Sequence, residues 1–110
     1  RRQVGQADAL LISCPEYAHG IPGSFKNLLD WLVGSIEFPD KPVALLNTSP
    51  LSVHAPAQLA EVLTTMNARL IPDACVKVQP RRRRDSAAII AADPELSSAL
   101  RGAIAAVLRN

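Results

Sequence analysis

Apolar residues gather along this chain in two short uninterrupted runs and three spaced patterns, with polar and turn-forming residues between them. The runs ALLISC (residues 9–14) and VALLNT (residues 43–48) are stopped by Pro15 and by Ser49 with Pro50. A run of this length without alternation reads as a strand buried on both faces, as in a parallel sheet covered by helices. A weaker third strand is expected over residues 74–78, between the turn signal Pro72-Asp73 and Pro80, and its Lys77 points to a sheet edge. The spaced patterns are helical. Phe25, Leu28, Leu29 and Leu32 recur at i, i+3, i+4 and i+7, with Ser24 as the expected N-cap and Gly34 in the C′ place. Leu59, Val62, Leu63 and Met66 repeat that spacing behind Pro56, a residue suited to a first helical turn. Asp93, Pro94 and Glu95 read as N-cap, first helical residue and acidic first turn, and Leu96, Leu100, Ile104, Val107 and Leu108 mark one face of a closing helix. Strand and helix alternate three times without an internal repeat, which predicts one α/β domain over residues 1–110 built on an open parallel sheet. Ligands of such sheets bind beyond the carboxyl ends of the strands, so residues 15–23 and 49–56 are the candidate binding segments.

Composition narrows the function classes. Of the 110 residues 48% are apolar and 20% charged, with a net charge of +2, which suits a globular domain. The four arginines Arg81, Arg82, Arg83 and Arg84 account for the positive balance, since without them +2 becomes −2. That run carries no interleaved aromatic residue, so it reads first as a solvated loop and second as a contact for phosphate or an acidic patch; nucleic acid is not expected as a partner. No apolar run approaches the roughly 18 residues of a membrane-spanning helix, and no membrane partner is expected. Cys14 and Cys75 are far apart and have no ligand-spaced neighbours, which argues against a disulfide framework or a metal site and for a reducing, cytoplasmic setting. The chain opens at Arg1 without an initiator Met and is read as the inside of something longer.

The four aromatic residues, Tyr17, Phe25, Trp31 and Phe38, all fall within one stretch of the chain. Its leading segment, PEYAHGIPG (residues 15–23), holds two prolines and two glycines; such a bend presents stiff backbone with free N–H groups to a ligand, or else merely turns the chain from strand into helix. Cys14 with His19, and Ser52 with His54, lack an orienting third group, so Cys14 reads as a structural thiol and no catalytic side chain is assigned.

The stretch PEYAHGIPGSFKNLLDW resembles the signature P-E-Y-N-x-S/G-x-P-G-x-L-K-N-x-x-D-W of the NADPH-dependent FMN reductase family. Nine positions match as they stand: Pro15, Glu16, Tyr17, Pro22, Gly23, Lys26, Asn27, Asp30 and Trp31. Ala18 stands where many relatives have Asn, Phe25 where they have Leu, and LSVHA where they have a glycine-rich segment. The resemblance implies a flavodoxin-like three-layer α/β/α fold with strand order 2-1-3-4-5, here without the first two strands. It implies FMN as cofactor, with NADPH or NADH as electron donor and a quinone, azo, metal-ion or flavin acceptor as small-molecule partner. The implied cofactor-binding residues are Pro15, Glu16, Tyr17, Ala18, His19 and Gly20 at the flavin ring, with Ser49 and Pro50 at the second loop, where residues 49–54 would wall the nicotinamide. Tyr17 is the expected ring contact, and Glu16 is expected to orient the loop by accepting backbone N–H bonds. Lys26, Asn27 and Asp30 fall either on a dimer contact or on a solvated helix face, and a homodimer or homotetramer is the family's assembly. The family's phosphate loop, G-S-x-R-x-x-S-x-N, has no match in these 110 residues, so the chain by itself is expected to bind FMN weakly and to associate through the edge of its first strand. The alternative reading is a non-catalytic α/β module acting through protein contacts.

Overall fold

The computed structural model describes residues 2–49, 51–80 and 86–109. Its sheet is organised by β2 (Pro42–Asn47), the strand of the second apolar run. On one side β2 pairs in parallel with β1 (Leu10–Ser13), Leu10 standing opposite Val43 and Ser13 opposite Leu46. On the other it pairs with two short parallel strands, β3 (Arg69–Leu70) beside Pro42 and Val43 and β4 (Val76–Lys77) beside Leu46 and Asn47. The helices are α1 (Arg2–Gln6), α2 (Gly23–Leu32), α3 (His54–Thr65), α4 (Ala87–Ala92) and α5 (Pro94–Leu108).

Alternation along β2 feeds two cores, because successive side chains of a strand point to opposite faces. Val43 packs with Leu29 and Leu32 of α2, with Phe38, and with Leu59 and Leu63 of α3. Ala44 faces the other way, toward Ile71, Ala74 and the α5 residues Ala103, Ala106 and Val107. The result is a three-layer α/β/α arrangement, as the alternation of elements implied. The helical periods hold for α2, whose Leu29 and Leu32 are buried, and for α3, where Pro56 falls in the first turn and Leu59 and Leu63 are buried. Gly34 takes the C′ place after α2 at φ +80°, a conformation that a side chain would strain.

Several expectations are corrected. Ser24 does not cap α2: the helix begins at Gly23, and the carbonyl of Pro22 accepts the N–H groups of Phe25 and Lys26, so Ser24 lies inside the first turn. The first strand is not buried on both faces, because Leu10 and Ile12 pack inward while Leu11 is 50% exposed. The third strand is interrupted. Ala74 belongs to a 3-10 turn, Pro72–Ala74, that lifts the chain off β2 between β3 and β4, as Pro72 has no N–H to give a ladder. Lys77 does lie on the flank expected, since β4 pairs with β2 alone among the described residues. On α5 the buried stripe is Leu96, Ala103, Ala106 and Val107, whereas Ile104 and Leu108 of the expected face are exposed; small alanines let the helix lie close against β2 and displace the larger residues outward. Helices α1 and α4 carry no buried residue and gave no apolar period to read. The arginine run 81–84 and Pro50 lie outside the described residues.

Candidate functional site at the carboxyl rim of the sheet

Strand β1 ends at Ser13, and Pro15 prevents its continuation. Four residues later the chain folds on itself in a two-residue hairpin: the N–H of Tyr17 donates to the carbonyl of Gly20 at 2.9 Å and the N–H of Gly20 donates back to Tyr17 at 3.0 Å. The two central residues, Ala18 and His19, take φ of +50° and +60°, which makes this a turn of the I′ kind. Such a turn favours Asn-Gly, because a Cβ costs roughly 1–2 kcal/mol per residue in the left-handed region. The N–H groups of these two central residues have no acceptor among the described residues. Tyr17 beside them is 64% exposed.

Three contacts fasten this turn to the start of α3, the helix that follows β2. The Glu16 carboxylate accepts the N–H of Ala55 at 2.6 Å and that of His54 at 2.8 Å through one oxygen, so it caps α3 from nearly forty residues away in sequence. These bonds, first the one from Ala55, hold the Glu16 carboxyl below its ordinary range against the opposing effect of desolvation, and the nearby His54 and His19 act in the same direction as the bonds. The imidazoles of His19 and His54 stack with ring centroids 4.3 Å apart and planes inclined by 28°. Beyond the turn, the N–H of Ile21 donates to Gln58 Oε1 at 2.9 Å, an oxygen that would stand only 3.0 Å from a Cβ on Gly20. Glycine at position 20 is therefore what lets the backbone approach α3 so closely.

The second loop is held by its own polar side chains. Asn47, the last residue of β2, accepts the N–H of Ser49 and donates to the carbonyl of Ser52, and Ser49 Oγ accepts the N–H of Leu51. A cavity of about 30 Å³ lies between the strands and α3, lined by Ile12, Cys14, Leu45, Leu46, Asn47, Pro56 and Leu59. Cys14 packs against the α2 and α3 core, burial pushes its thiol up, and its Sγ lies 3.4 Å from the Pro15 carbonyl, which fits the structural reading and not a nucleophile served by His19. A wider apolar groove of about 370 Å³ runs along α3 and β4 and includes Ala57, Ala60, Leu70 and Cys75, but no residue of the turn. Among the described residues no group of three or more His, Cys, Asp or Glu could hold a metal ion.

The model of the family described as NADPH-dependent FMN reductase matches residues 1–80. The chain belongs to that family. It is 35% identical over 77 residues to a quinone reductase of Escherichia coli K12, an alignment covering 63% of this chain and 39% of that protein. The chain therefore spans about two fifths of that relative. Among solved structures it superposes on the flavoenzyme NAD(P)H:(acceptor) oxidoreductase FerB of Paracoccus denitrificans with a TM-score of 0.74 and 28% identity, over 96% of this chain and 62% of that one. A flavodoxin, WrbA-like protein of Agrobacterium tumefaciens shares the fold with a TM-score of 0.63 at 17% identity, over 97% of this chain and 69% of that one. The flavodoxin-like fold expected from the signature is thus present.

For a flavin ring the donors at the rim are of the right kind. A flavin ring is a flat apolar body with a polar edge that both donates and accepts. Tyr17 offers an exposed aromatic face, and the free N–H groups of Ala18 and His19 offer two donors side by side. Of the residues implied by the signature, the structure gathers Glu16, Tyr17, Ala18, His19 and Gly20 into one turn and brings the start of α3 against it. Glu16 orients the loop, as expected, and its carboxylate is engaged with α3. Ser49 lies in the neighbouring loop with its hydroxyl turned to Leu51. Asn47 and Gln58, which neither candidate segment includes, complete the rim together with His54 of the second segment. A polar residue ending an apolar strand was a local signal for Asn47; the contacts of His54 and Gln58 span more than thirty positions and leave no mark in sequence spacing.

Proposed function

We propose that the chain forms the ring-binding portion of an NAD(P)H-dependent flavin oxidoreductase of the quinone reductase type, corresponding to the last three strands of a 2-1-3-4-5 sheet. The observation that carries this is the exposed turn of residues 17–20, with two unspent N–H donors beside an aromatic face at the carboxyl rim. FMN, when bound, supplies the two-electron carrier between a nicotinamide donor and the acceptor. Pro15 and Tyr17 wall the ring, Ala18 and His19 donate to its polar edge, and Glu16 and Gly20 keep the turn seated on α3. The ring is received on the outer face of the turn, where Tyr17 is exposed. The loop of residues 49–54, with Leu51 and Val53 exposed, borders the side from which NADPH or NADH and a quinone would approach. The name of the Escherichia coli relative favours a quinone over azo, metal-ion or flavin acceptors.

A homodimer is part of this reading. Leu28 and Trp31 stand three positions apart on α2, and both are more than half exposed, an apolar surface suited to a second copy. On the same helix Lys26 and Asp30 pair at 2.8 Å on the surface. No helix among the described residues is long and apolar enough to cross a membrane. Cys14 and Cys75 are free thiols, which supports a reducing, cytoplasmic setting. The reductase names of the relatives favour this reading over a non-catalytic module.

Visible-absorbance titration tests the reading. The chain is expected to perturb the FMN spectrum saturably but weakly, riboflavin is expected to do so equally well, and Tyr17→Ala is expected to weaken both by about tenfold. An unchanged affinity in Tyr17→Ala would remove the turn from the flavin site.

A further inference from the structure

We infer that His54 is a positioning residue, which holds the turn of residues 17–20 in its left-handed conformation from across the rim. Ala18 and His19 both sit at positive φ, and Ala18, unlike Asn or His, is not a residue that adopts it readily. Asn tolerates this region because its short amide bonds locally to the backbone, and Ala18 has no such group. The turn nevertheless closes with both cross-strand bonds, so what maintains it lies outside the turn.

His54 is placed to do this. Its ring stacks on that of His19, one of the two residues at positive φ, and its own backbone N–H is held by Glu16 on the near side of the same turn. The imidazole of His19 is thereby pinned to a helix end that is itself pinned to the strand leading into the turn. Support that Ala18 does not supply within the turn is thus supplied from across the rim.

The inference depends on the flavin reading only for what the turn touches; its test needs no flavin. Hydrogen exchange at the amides of Tyr17 and Gly20, whose bonds close the turn, reads the turn in the intact chain. His54→Ala is expected to lower the protection of both amides by about tenfold. Adding Ala18→Asn to that variant is expected to restore them to within about threefold of the parent, while Ala18→Asn alone changes them by less than about twofold. His19→Asn removes the stack without touching α3 and keeps a residue that tolerates positive φ, so it serves if His54→Ala disturbs the helix. It is expected to loosen the turn equally and to leave His54→Ala nothing further to remove. Unchanged protection in both single variants overturns the inference, and so does an equal gain from Ala18→Asn with and without His54. FMN affinity of the same variants is then a separate reading: turn protection that moves as described, with no flavin bound by any variant, leaves the inference standing and removes the flavin assignment.

Discussion

Glu16 shows how far a single side chain can act from its neighbours in sequence. It stands between Pro15 and Tyr17, residues that face the rim, but its carboxylate turns back to close the first turn of α3. Because its pKa is depressed in the folded chain, it stabilises the fold fully above the ordinary carboxylate range, and that contribution is lost as pH falls through the folded-state value. Glu16→Gln keeps an acceptor but loses the charge. The gap in melting temperature between parent and variant is therefore expected to be widest near neutrality and to shrink on acidification; a gap independent of pH would mean the charge plays no part. The family resemblance made Glu16 and Tyr17 visible beforehand as motif positions, whereas the composition of the bend alone left it open between a binding loop and a simple turn. The left-handed backbone at Ala18 was not legible, because alanine does not favour it and the groups nearest the turn, on α3, lie more than thirty positions away.

Among the elements, legibility follows how local the governing chemistry is. The start of α5 was read correctly from Asp93, Pro94 and Glu95, and the structure shows Asp93 Oδ1 accepting the N–H groups of Glu95 and Leu96 at 3.0 and 3.2 Å. The same residue ends α4, its N–H meeting the carbonyls of Ile89 and Ile90, so one aspartate punctuates two helices. Asp93→Ala is expected to cost about 1 kcal/mol of stability, measured by urea unfolding, as for other helix caps. A loss below a few tenths would show that the cap does not govern α5. What α5 buries was misjudged, since the larger residues drew the face while the alanines made the contact. The interrupted third strand escaped for a related reason: two-residue strands exist only by their pairing with β2, and their own sequence is too short to show a period.

Over the whole molecule the layers are uneven. β2 is paired on both sides, while β1 is paired with β2 alone among the described residues and carries a half-exposed Leu11 on its outer face. An open edge of this kind seeks a partner. The 110-residue chain is expected to associate with rising concentration in sedimentation velocity, and Leu11→Lys is expected to shift it toward monomer; a monomer at all concentrations for both would show the edge to be protected. The parallel pairing of the strands and the two-sided core were legible because alternation of strand and helix constrains them strongly, while the strand order was legible only through the family resemblance. The joining of the two loops at the rim was not, because it rests on Glu16, His19 and Gln58 meeting groups that the fold alone brings near.

The central claim is that the turn beyond β1 seats a flavin ring. Residue-resolved amide shifts during titration of the chain with FMN test it most directly. The largest changes are expected at Tyr17, Ala18, His19 and Gly20, with smaller ones at the start of α3, and riboflavin is expected to reproduce them. Changes confined to the groove between α3 and β4, or none at the turn when the ligand saturates, would contradict it.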